Sequence, residues 1–143
     1  MHAKTVAVIV SGETEDALLA HLAARGWRAV GLAPPREHEG WPAFWERAAT
    51  LLAKARAVLL PVWMALDGTN AEPLVHALRQ HHAGLPILLL ASGAVEPTWA
   101  AQAARRDPLV RLVWPATAGR AEDVLTTMMG GEAGMAEGAV SRR

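Results

Sequence analysis

Residues 57–93 read AVLLPVWMALDGTNAEPLVHALRQHHAGLPILLLASG. Two apolar runs, 57–63 and 86–91, bracket this stretch. Each is too short for a helix and is nearly apolar throughout, as a strand covered on both faces must be. Between them Leu74, Val75 and Leu78 recur at helical spacing over 70–82, and Gly84 ends the run. Asp67-Gly68 marks the turn that leaves the first strand. Strand, helix and strand in that order imply a right-handed crossover between parallel neighbours.

The same alternation extends in both directions. Apolar runs at 5–10, 28–33 and 110–114 add three strands. Helical patterns fill 16–25, 43–55, 97–106 and 119–129. Leu18, Leu19 and Leu22 form the first stripe, and Phe44, Ala48, Leu51 and Leu52 the second. Pro97 suits the first turn of the fourth helix. The order is β-α five times over, which predicts an α/β fold: a doubly wound five-stranded parallel sheet with helices on both faces. The second connection is the longest, with Pro34-Pro35, Arg36-Glu37-His38-Glu39 and Gly40-Trp41-Pro42 forming a loop. One domain is expected over 1–129. A flexible tail is expected over 130–143, where four glycines break any periodicity.

Composition narrows the function. The chain has 143 residues, 52% hydrophobic and 20% charged, which suits a globular domain. Fourteen basic residues balance fourteen acidic ones, so the footprint of a dedicated nucleic-acid binder is missing. There is no cysteine, which removes disulfides, thiol nucleophiles and thiolate metal sites. The N-terminus has no signal-peptide pattern, and no apolar stretch approaches a membrane span, so a cytoplasmic protein is expected.

The 57–93 segment resembles the centre of a response-regulator receiver domain. In that family a phosphate-accepting Asp ends the third strand, a Met-Pro turn with an Asp-Gly follows, and a Leu-Pro opens the fourth strand. Here Met64-Ala65-Leu66-Asp67-Gly68, one residue shorter, and Leu85-Pro86 occupy those places. The resemblance covers residues 5–129 in order and spacing, and its functional positions depart from the family. The acidic pair after strand one is replaced by Ser11 and Gly12, with Glu13 following. The phosphoacceptor position holds Pro61, which has no side-chain oxygen. The strand-four hydroxyl position holds Ala91, with Ser92 one place later. The Lys that precedes a strand-five Pro is Trp114, followed by Pro115.

Phosphoryl transfer depends on a carboxylate nucleophile and on a metal held by hard oxygen ligands. The resemblance therefore implies a pseudo-receiver, a signalling module without phosphorylation, cofactor or metal, acting on a protein partner or as a homodimer. Its interface is expected on the fourth and fifth helices and strand five, drawing on Trp99, Ala103, Arg111, Val113 and Arg120. It also implies the strand order 2-1-3-4-5 and a cis Trp114–Pro115 peptide.

Other motifs carry competing readings. Asp67-Gly68-Thr69-Asn70-Ala71-Glu72 resembles nucleoside deoxyribosyltransferase-like proteins, which would make Glu72 a nucleophile assisted by Asp67. The plainer reading is that Asn70 caps a helix and Glu72 favours its positive end. His81 and His82 are neighbours and cannot form a helical i, i+4 metal pair with each other. Trp63 and Trp114 fall at the carboxyl ends of central strands. They either plug the space of a lost phosphate or form a platform for a small planar ligand. Trp41 and Trp45 either anchor an interface or fold back over the long loop.

Overall fold

The computed structural model describes residues 4–34, 40–63 and 71–141, with side chains for all of these but residue 41 and residues 130–141. Ten elements alternate: β1 (Thr5–Ile9), α1 (Glu13–Ala24), β2 (Arg28–Leu32), α2 (Trp41–Lys54), β3 (Ala57–Pro61), α3 (Glu72–His81), β4 (Ile87–Leu90), α4 (Thr98–Arg106), β5 (Val110–Val113) and α5 (Ala118–Ser141). The five strands are all parallel and lie in the order β2-β1-β3-β4-β5. This is the doubly wound α/β sheet that the sequence predicts.

Strand alternation divides the core in two. Ala7, Ile9, Val58, Leu60, Ile87 and Leu89 face α2, α3 and α4, against Phe44, Ala48 and Leu78. Val6, Val8, Leu59 and Leu88 face the other way, against Leu18 and Leu22 of α1 and Leu125 and Met129 of α5. Both faces of β3 and β4 are covered, which is why those strands read as unbroken apolar runs. A fully buried Leu at such a position contributes about 1.5–3 kcal/mol relative to exposure.

Helix starts depart from the sequence reading, each for a local reason. Helix α1 begins at Glu13, three residues early. Its first turn holds Glu13, Glu15 and Asp16, which suit the positive end of a helix. Helix α2 begins at Trp41 because Pro42, read as loop, sits in the first turn, where its missing N–H costs nothing. Helix α3 begins at Glu72 behind Ala71, with Pro73 in its first turn and no side-chain cap. Asn70, expected to cap it, lies outside the described residues. Helix α5 continues to Ser141, past the expected boundary at 129. The residue at that boundary, Met129, is buried on the α1 side of the sheet.

Candidate functional site

The carboxyl ends of β1, β3, β4 and β5 converge on one rim, where ligands bind in open α/β sheets. Pro61 closes β3 and lies in register with Leu90, which is in register with Val113. Pro61 is buried. Beyond the strands, the amide of Val62 donates to Leu90 O at 2.9 Å and that of Ala91 to Val113 O at 3.0 Å. The ladder thus outruns the assigned strands by one residue and fixes the positions of Ser92 and Trp114. The Trp114–Pro115 peptide is cis, as the resemblance implies.

A cavity of about 140 Å3 opens at this rim between the starts of α1 and α5. Thr14, Glu15, Pro61, Trp63, Ser92 and Thr117 line it, along with apolar side chains. Ala91 is buried in the opposite core, whereas Ser92, one residue later, lines the cavity. Glu13, the acid singled out in the sequence, is exposed and is not part of the lining. Glu15 is, at 7% exposure. Its Oε1 accepts from the Ser11 amide at 3.1 Å and the Ser11 hydroxyl at 3.2 Å. Sequence reasoning missed this carboxylate. The signal was available: a Glu three residues after Gly12, the N-cap, is placed to reach back over the start of a helix.

A divalent cation such as magnesium takes near-octahedral oxygen ligands from one or two carboxylates plus water and substrate. The described rim supplies one carboxylate, already engaged through one oxygen. Among the described residues no group of three or more His, Asp or Glu side chains is placed to hold a metal. The donor set does not fit that ion.

The two rim tryptophans separate. Trp63 is 52% exposed and lines the cavity. Trp114 leans the other way, packs against the α2–α4 core and donates its Nε1–H to Gly93 O at 3.1 Å. They form neither a joint plug nor a joint platform. Gly93 has φ +106°, the left-handed region that an L side chain rarely enters, and so lets the chain turn under that indole.

The residues expected to form the interface differ in exposure. Arg111 and Arg120 are exposed, whereas Val113 is buried beneath α5 with Ala121 and Leu125 and cannot contact a partner. The strand alternation that sends Arg111 to this side also sends Val113, but only Val113 is roofed. Trp99 and Ala103 of α4 are half-buried against the core, and Trp99 Nε1 is buried without a partner. An open groove lined by Arg105, Arg111, Leu112, Trp114 and Glu96 runs between α4 and β5. Arg105, Arg111 and Arg120 have no side-chain hydrogen bond or ion pair among the described residues.

Elsewhere, Trp45 stacks on His81, ring centroids 4.3 Å apart, and meets Phe44 edge-on at 4.9 Å. It folds back onto α3, with part of its ring against the core. Trp41 lies on α2, with its side chain outside the described set. Glu72 is 48% exposed, 3.9 Å from His76, and does not line the cavity; Asp67 lies outside the described residues.

No protein-family model and no curated protein sequence matches the chain. Solved structures do. A response regulator receiver protein from Pseudomonas putida superposes with a TM-score of 0.66 at 16% identity, covering 89% of this chain and 98% of that one. A pilus assembly-related protein from Burkholderia pseudomallei gives a TM-score of 0.57 at 22% identity, over 86% and 87% of the two chains. At these identities the likeness is one of fold. Among the described residues no helix is long and apolar enough to cross a membrane.

Proposed function

We propose that this chain is a signalling module of receiver fold that takes no phosphoryl group and works by contact with another protein. The observation that carries the reading is Pro61. It occupies the end of the central strand, buried and in register with Leu90, where phosphoryl chemistry would need a carboxylate nucleophile. Ser11 and Gly12 stand where a metal-holding acidic pair would be, and Trp114 replaces the cation next to Pro115. Electrostatic stabilisation of a transferring phosphoryl group has no source in this set.

The contact surface in this reading is the face of α4, β5 and α5. Arg105, Arg111 and Arg120 surround the groove beside Trp114, with no side-chain partner among the described residues. Two-fold pairing of this face would set guanidinium against guanidinium. A partner bearing carboxylates suits it better, with Trp114 as the apolar anchor.

The test is beryllofluoride with magnesium, which mimics an acyl phosphate. Neither the thermal midpoint nor the amide NMR spectrum of the rim should respond. A saturable, magnesium-dependent shift would refute the reading.

A further inference from the structure

We propose that the rim cavity is a binding site for a small organic cation, a primary or methylated amine, paired with Glu15 and covered by Trp63. The proposal builds on the reading that no phosphoryl group enters here, and adds what does.

The charge balance of the lining points to a cation. Among the described residues no Lys, Arg or His lines the cavity, and one carboxylate, that of Glu15, does. Two backbone donors that an anion would seek at the neighbouring helix starts are already used: the Ser11 amide by Glu15 Oε1, and the Arg120 amide by the Thr117 hydroxyl at 3.1 Å. Glu15 is more than nine-tenths buried, yet only Oε1 has protein partners; Oε2 has none among the described residues. Oε2 is not fully enclosed, so an ammonium group entering the cavity can reach it and form a charge-assisted hydrogen bond. Three hydroxyls, of Thr14, Ser92 and Thr117, share the lining and are able to accept further N–H donors.

The rest of the lining selects for an organic ion over a hydrated metal. Pro61, Leu18, Leu90 and the indole of Trp63 offer apolar and aromatic surface. An indole face attracts alkylammonium groups through its quadrupole. A volume of about 140 Å3 is close to that of an apolar cavity known to hold benzene, so the ligand has about six to eight heavy atoms. Half-exposed Trp63 leaves an entry path from solvent.

The experiment is an NMR titration of the indole N–H of Trp63, assigned with Trp63→Phe, against tetramethylammonium and propylammonium chlorides. Tert-butanol, propionate and sodium chloride are the neutral, anionic and ionic-strength matches. At least one alkylammonium ion should give a saturable shift at tens of millimolar or below. Glu15→Gln, which keeps the shape, should weaken it at least tenfold, and Trp63→Ala, a half-exposed site that leaves the core intact, several-fold by the amides of Ser92 and Thr117. No saturable shift with either cation, or equal binding of tert-butanol, would overturn the proposal. So would unchanged affinity in Trp63→Ala, even if Glu15→Gln failed to fold. Failure here leaves the contact reading standing, because that reading falls only to the beryllofluoride result.

Discussion

Glu122 of α5 receives three side chains from across a helix boundary. His21 Nε2 lies 3.1 Å from Oε1, Arg25 Nε donates to both oxygens at 3.1 Å, and Trp27 Nε1 donates to Oε2 at 3.2 Å. Its partial burial alone would raise the carboxyl pKa, but the hydrogen bonds from Arg25, His21 and Trp27 and the charge of Arg25 outweigh this and hold it below the usual 4.5. A carboxyl depressed on folding stabilises the fold above its unfolded value and loses that contribution as pH falls through its folded one. Wild type should therefore lose thermal stability below pH 4.5 more steeply than Glu122→Gln. The two melting curves should differ at pH 7 and converge in acid; a constant offset would contradict the assignment. His82 acts in the same direction at higher pH. Burial, and then the neighbouring His81, lower its pKa from 6.5, so charging it costs stability as pH falls below that value. A His82→Gln variant should flatten the stability profile around pH 6, read by thermal midpoint.

At the scale of elements, Arg79 fastens the end of α3. Its Nε donates to Asp107 Oδ2 at 2.8 Å, and its Nη1 to the carbonyls of Ala83 at 2.7 Å and Leu85 at 2.9 Å. Arg79→Met should cost about 2 kcal/mol in urea unfolding, because charge-assisted bonds to carbonyls disappear together. In the strand interior, Leu60→Ala should cost about 2–5 kcal/mol, since Leu60 is fully buried among close-packed neighbours. All five strands and all five helices were legible in the sequence, because apolar runs and three-to-four spacing report burial directly. Helix starts were less legible: Pro42 and Pro73 look like breakers until their first-turn position is known. The site was legible in part. Pro61 at the end of the third strand and Ser92 after the fourth could be placed from the apolar runs alone. That Glu15, and not Glu13, turns inward depends on where α1 begins, and that Trp114 leans away from Trp63 depends on the turn at Gly93. The capping spacing from Gly12 to Glu15 reports the first only once the helix start is placed, and the second is not a pattern of residue types.

For the molecule as a whole, a zero formal charge conceals local asymmetry. Guanidiniums gather around β5, an edge strand, while the rim cavity holds a carboxylate. The two surfaces invite ligands of opposite sign. Charge reversal at Arg111 should abolish partner binding yet leave the cavity untouched, a separation that paired titrations would read. We propose that the folded domain ends near Met129, the last described buried residue of α5. A chain stopped at Gly130 should then melt within a few degrees of the full-length protein, since ~1 kcal/mol corresponds to about 4–8 °C in a domain of roughly 100 residues.

The packing of α5 also bears on how the protein is made. Leu18 and Leu22 share their layer with Ala121, Leu125 and Met129, which follow them in the chain only after all the other strands and helices. On the ribosome, the opposite layer gains its helices as each is synthesised, but this one waits for the last. Until α5 has been made the nascent chain presents an oily flank, and the Glu122 clasp closes only once that helix is available.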